Sequence, residues 1–174
     1  MKQKINLWDY AGRITGALNP GILVTTKADG KVNTMTIGWG TIGIEWGKPI
    51  FTLYVRKSRH TWDMLNKNGE FTINAPLDKA DKKILSLCGT KSGRDMDKIK
   101  ELNLTLEEPN VISVPGIKEL PVTLECKVIY RQDQDPDAIG ADIIKRYYPP
   151  FNPDGSGDFH TTYYAEIVDA YIIE

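Results

Sequence analysis

Asn33-Thr34-Met35-Thr36-Ile37-Gly38-Trp39 and Val55-Arg56-Lys57-Ser58-Arg59-His60-Thr61 are the two stretches from which the rest of this chain can be read. The first reads as the end of a strand whose small residues leave the backbone approachable. The second is a run of cations and hydroxyls where a strand gives way to a helix. A flat heteroaromatic ring fits the first, and a phosphate fits the second, because a helix start offers free N–H donors and a favourable dipole.

Working outward, Gly21 to Lys27 is rich in β-branched residues and reads as a strand. Ala28-Asp29-Gly30 turns it, and Lys31 to Trp39 runs back as its hairpin partner. Pro49 to Arg56 alternates, with Ile50, Thr52, Tyr54 and Arg56 on one face and Phe51, Leu53 and Val55 on the other. Ser58 is the expected N-cap of a helix that runs to about Asn68 and ends at Gly69. Upstream, Trp8 to Leu18 reads as a leading helix stopped by Asn19-Pro20-Gly21. Downstream come a strand over Glu70 to Asn74 and a helix opened by Pro76 and Asp78 and running through Leu87. A long strand is read over Pro121 to Tyr130, and a helical stretch over Ala138 to Tyr147. Asn152 to Gly157 is a polar, breaker-rich exposed loop, and His160 to Ile173 is a closing strand. No repeat, linker or low-complexity tract divides residues 1–174, so a single domain is expected. Sequential strands with irregularly interspersed helices predict a mainly β protein, an antiparallel barrel with flanking helices.

Composition narrows the function. The chain has 174 residues, 41% hydrophobic and 26% charged, which is enough for a core of ordinary size. A formal net charge of −1, spread along the chain, lends nothing to nucleic-acid or membrane-surface binding. No apolar run approaches a membrane span, and Met1 to Asn6 lacks an apolar secretory segment, so the expected compartment is the cytoplasm. Cys88 and Cys126 form no CxxC and join no histidine cluster. They are expected to be buried small hydrophobes rather than metal ligands.

At the candidate site, Arg56, Lys57, Ser58, Arg59 and Thr61 offer cations and hydroxyls together. The alternative is a set of solvated charges that discourage edge pairing. Met35, Thr36, Ile37, Gly38 and Trp39 suit the polar edges and flat faces of a ring, or else Met35, Ile37 and Trp39 are the inward face of a half-buried strand. Lys91-Ser92-Gly93-Arg94 is a second phosphate-like loop or an ordinary surface loop. His60 reads as an exposed residue of a helix first turn. Exposed-looking aromatics (Trp8, Tyr10, Trp46 and Tyr147-Tyr148-Pro149-Pro150-Phe151) could cover barrel ends or reach a second subunit.

Taken as an ordered set, these motifs resemble the flavin reductase-like family, and its flavoredoxin branch in particular. Arg56 to Thr61 is similar to the family's Arg-x-Ser-Arg-x-Thr. Ser92 to Lys98 is similar to Ser-Gly-Arg-Asp-x-Asp-Lys-Phe, with Ile99 in place of Phe. Gly157-Asp158-Phe159-His160 resembles a Gly-Asp-His ending, with Phe159 inserted and Ala165 where glycine is usual. The resemblance implies an FMN-binding antiparallel split β-barrel, usually a homodimer with its flavins near the interface. It tips Arg56 to Thr61 toward phosphate, and it places Lys91, Ser92 and Gly93 near the phosphate or ribityl chain. Asp97 and Lys98 would fix the loop, and His160 would face the nicotinamide side. The absence of a GxGxxG fingerprint favours FMN over FAD. The implied activity is reduction of a small acceptor, a flavin or ferric chelate, with NAD(P)H; flavoredoxin-type electron transfer from a protein partner is the other reading. No protein acid or base is required, because the cofactor carries the chemistry.

Overall fold

The computed structural model describes residues 1–174. In chain order the elements are β1 (Lys2–Lys4), α1 (Leu7–Gly16), β2 (Ile22–Ala28), β3 (Lys31–Ile37), β4 (Gly40–Glu45), β5 (Lys48–Arg56), α2 (His60–Lys67) and β6 (Glu70–Ala75). Then follow α3 (Lys82–Thr90), α4 (Lys98–Glu101), β7 (Leu106–Glu107), β8 (Gly116–Ile117), β9 (Val122–Asp133), α5 (Ala141–Tyr147) and β10 (His160–Ile173). One antiparallel sheet runs β3-β2-β6-β9-β10-β5-β4, with β1 on the far part of β10. The sheet does not close on itself, which is the split barrel expected from the sequence. No helix is long and apolar enough to cross a membrane.

Two hairpins show how local chemistry sets the register. Asp29 and Gly30 have φ of 50° and 73°, the paired positive values of a tight two-residue turn, so Ala28 faces Lys31 and Ile22 faces Ile37. Trp46 and Gly47, at 51° and 69°, close the β4–β5 hairpin in the same way. Sequence reading left β4 unassigned. Gly40 and Gly43 break its alternation, and a tryptophan is an unusual occupant of a positive-φ turn position.

The central strand is β10, 14 residues long and paired with both β5 and β9. Register shifts at Tyr164/Ala165 and Ile167/Asp169 let so long a strand bend around the core. The inward residues, among them Val24, Phe51, Leu53, Phe71, Ile73, Leu124 and Tyr163, are fully buried. A smaller apolar layer of Leu23, Ile84, Leu85, Cys88 and Leu120 lies outside β2 under α3. With both faces covered, Ile22-Leu23-Val24 is continuously apolar rather than alternating.

Three helix expectations need correction. Ser58 does not cap α2; Arg59 occupies the N-cap position, and the Ser58 hydroxyl is engaged elsewhere. The α3 helix begins at Lys82 rather than near Pro76, because Asp81 caps it by accepting from the Lys83 N–H at 2.7 Å. The stretch Ala138–Tyr147 is split at Gly140 into a short 3-10 turn and α5.

Candidate functional site

Antiparallel pairing of β10 with β5 sets His160 opposite Arg56. Trp39, just beyond β3, swings to the same place, its ring centroid 5.2 Å from that of His160 and 5.4 Å from that of Tyr147. A hollow of about 160 Å³ opens there, lined by Met35, Thr36, Ile37, Gly38, Trp39, Tyr54, Arg56, Arg59 and His160. Five of the seven residues of the first sequence stretch, Met35 to Trp39, therefore meet at one surface. Met35 and Ile37 belong also to the core, so the inward-strand reading holds for them, whereas Trp39 is 43% exposed at the rim.

A second hollow of about 100 Å³ shares Met35 and Arg59 with the first and includes Ser58, Thr61, Lys91, Ser92, Gly93 and Lys98. The loop after α3 is thus brought against the start of α2, although the two are far apart in sequence. Their closeness depends on glycine: a Cβ at Gly93 would collide with Asn33 Oδ1, and would lie 2.8 Å from Asn33 Cγ and 3.0 Å from His60 Cδ2. Asn33 Nδ2 in turn donates to Thr61 Oγ1 at 3.2 Å.

The cations divide into two kinds. Arg56 is engaged: its guanidinium donates to the carbonyls of Asp158 at 2.7 Å and Tyr147 at 2.9 Å. Arg94 donates to the Ser58 carbonyl and pairs with Asp63. Lys57 does not join the site, since its ammonium turns to Asp133 at 2.6 Å. Ser58 is tied to the buried Asp158 carboxylate, through its hydroxyl at 2.6 Å and its N–H at 3.2 Å. By contrast, Arg59 and Lys91 line the second hollow with no carboxylate partner. Lys98, only 4% exposed, joins them with one hydrogen bond, to the Lys91 carbonyl at 3.1 Å. Burial first, and the neighbouring Arg59 charge among lesser causes, lower its pKa. Buried cations without a counter-charge are costly, and an anion relieves the cost.

Sequence reasoning left Asn33, Tyr54, Tyr148 and Asp158 out of the site. Asn33 stood inside the quoted stretch, but nothing local distinguished it from a strand residue. Asp158 belonged to the Gly-Asp-x-His run, which was the available signal. His60 is a correction as well: only 27% of its side chain is exposed, and its Nδ1 is buried without a hydrogen-bond partner. Its pKa is lowered by burial first and by Arg94 second.

His160 is 6% exposed, and Tyr148 Oη lies 2.9 Å from its Nδ1. Burial first, then the Arg56 guanidinium, hold its pKa down at about 4, against the opposing pull of Asp158. The unfolded chain therefore takes up this proton near pH 6.5, before the folded protein does. Stability associated with the neutral ring is complete above about pH 6.5 and is lost as pH falls toward 4, by up to about 3 kcal/mol. Urea unfolding of His160→Gln should accordingly show a flatter loss of stability between pH 6.5 and 4 than the parent protein. Parallel curves would place the acid sensitivity in another group.

Known proteins share the family sequence pattern and the fold. The model of the flavin reductase like domain matches residues 17–174. A flavoredoxin of Methanosarcina acetivorans is similar in structure, with a TM-score of 0.66 at 25% identity, over 88% of this chain and 68% of that one. The flavoredoxin of Desulfovibrio vulgaris (Miyazaki F) gives 0.66 at 24% identity, over 88% and 69%. An FMN-binding domain of a flavin reductases-like enzyme from Shewanella baltica shares the fold, at 0.65 and 19% identity, over 99% and 77%. Among curated proteins, an uncharacterized protein of Archaeoglobus fulgidus is 32% identical over 57% of this chain, and the match spans just over half, 55%, of that relative's length. With the family model covering nearly the whole length and the same fold in its structural relatives, the chain belongs to the flavin reductase-like family.

Proposed function

We propose that this protein binds FMN across the two joined hollows and uses it to reduce a small acceptor, a flavin or a ferric chelate, with NAD(P)H. The observation that carries the reading is the juxtaposition itself. A shallow hollow edged by strand backbone and Trp39 adjoins a trio of cations, Arg59, Lys91 and Lys98, that has no carboxylate partner. Gly93, where a Cβ would collide with Asn33, lets the loop that carries Lys91 and Ser92 pack tightly beside Arg59 and Thr61. In this reading Arg59, Lys91, Lys98 and Ser92 hold the phosphate. The backbone of Thr36 to Gly38 meets the polar edge of the ring, Met35 and Trp39 pack on it, and Thr61 orders Asn33 beside it. Lys57 has no part. Arg56 and Ser58 act by holding Asp158 and the segment around it. When bound, FMN supplies the hydride chemistry, and the protein supplies position and electrostatics.

The flavoredoxin relatives support a second reading, a carrier reduced by a protein partner. The two free, buried thiols accord with a reducing cytoplasm. We also propose a homodimer. Trp46, 58% exposed, clusters with Tyr130 and Tyr164 at centroid distances of 6.2 and 6.5 Å on the outer sheet face, and Ile44 is 71% exposed nearby. Tyr148, expected among the interface aromatics, is instead buried within the site, while Phe151 and Trp8 stay exposed.

Heat release and chromatography of the bound flavin should yield FMN, and recovery of FAD alone would overturn the assignment. Steady-state turnover of NADH or NADPH with free flavin or a ferric chelate is expected, and negligible turnover by FMN-loaded protein would favour the carrier. Arg59→Ala should weaken FMN about ten- to a hundred-fold, the effect of losing a charge-assisted contact of about 1.5–3 kcal/mol. Riboflavin, which lacks the phosphate, should bind both proteins alike. Light scattering at micromolar concentration should give twice the chain mass, whereas a monomeric mass would remove the dimer.

A further inference from the structure

Tyr148 stands directly after α5 and is 5% exposed, and three contacts hold its ring. Phe159 stacks on it, with centroids 4.7 Å apart and planes 22° from parallel. The Arg56 guanidinium carbon lies 5.1 Å from its centroid, and its hydroxyl reaches His160 Nδ1 at 2.9 Å. Phe159 is the residue that departs from the Gly-Asp-His pattern, so the departure and the Tyr148 contact belong together. The phenol has no other hydrogen-bond partner in the chain. If Nδ1 carried the proton, the phenol hydrogen would be left without an acceptor in a buried position, at a cost of about 1–3 kcal/mol. With the phenol donating, Nδ1 accepts and the imidazole proton sits on Nε2. That nitrogen has no partner within the chain and is not sealed from solvent, and the ring lines the first hollow.

We propose that Tyr148 is a positioning residue that holds His160 as the neutral Nε2–H tautomer, a hydrogen-bond donor aimed into the ring hollow at a carbonyl or carboxylate oxygen of the second substrate. Burial and the Arg56 charge keep the imidazole uncharged at neutral pH, so it donates without serving as a proton source. Arg56 and Arg59 on the hollow's wall, and Asp158 behind it, are the charged groups that face this ring. The cations favour an oxygen acceptor over an amine. The tautomer stands on the protein alone, while the ligand's part as second substrate rests on the FMN reading.

Long-range ¹H–¹⁵N NMR of the full chain at neutral pH tests the tautomer. An unprotonated Nδ1 and a protonated Nε2 are expected for His160, with Tyr148→Phe, which keeps the ring stack, shifting toward a mixture. A protonated Nδ1 in the parent, or an unchanged pattern in the variant, would overturn the proposal. Calorimetric titration with benzamide and aniline tests the donor. Benzamide should bind about three- to ten-fold more weakly to Tyr148→Phe and His160→Phe, with recovery in His160→Gln, which keeps an N–H, and aniline should not discriminate. Equal benzamide affinity in all four proteins would sink the donor role. A protein found to carry no FMN that still shows the tautomer and its loss would remove the flavin reading and leave the positioning role of Tyr148 standing.

Discussion

The register of β10 against β5 is the constraint on which the site depends. Because side chains alternate along a strand, a slip of one residue would move His160 and Arg56 to opposite faces. In the observed register Arg56 reaches two carbonyls of the segment that leads into β10, and Asp158 in that segment takes both donors of Ser58. One buried carboxylate and one guanidinium thus tie the start of α2 to the start of β10. Trp39, Tyr147 and Tyr148 then pack where that tie leaves room.

A second constraint is electrostatic. Arg94 is neutralised by Asp63 and Lys57 by Asp133, as surface charges commonly are. Arg59, Lys91 and the buried Lys98 are not, and their hollow runs into the one under Trp39. Of the three only Lys98 is buried, so the cost of an uncompensated charge falls on it, and an anion beside it would offset that cost. This division among the cations, rather than their number, marks one hollow as suited to a phosphate.

Much of the architecture was legible in the sequence because it is local. Asp29-Gly30 dictates its own turn, the β-branched runs predict their strands, and Ser92 to Lys98 reads as a loop with an ordered set of donors. Where local signals were weak, the reading missed: β4 with its two glycines, and α3, whose start was drawn toward Pro76 when Asp81 is the cap. Ser58 misled for a more general reason. Its hydroxyl suits a cap, but a buried carboxylate from the distant segment before β10 outcompetes the helix N–H groups for it.

The sequence by itself determined the strand and helix chemistry, the residues of both candidate stretches and, through their order, the family. Tertiary structure alone decided which of those residues act together. Lys57 and Arg56 are neighbours in sequence, yet one turns to Asp133 and the other to the segment before β10. Lys98, read as a loop-fixing residue, does bond the Lys91 carbonyl across its loop, and it is in addition a buried cation beside Arg59. Tyr148 meets Phe159 and His160 only because the segment after α5 lies against the start of β10. Side-chain type and spacing are properties of a few adjacent residues, whereas charge pairing and burial depend on partners supplied by distant strands. That is why the chemistry could be read early and its assembly could not.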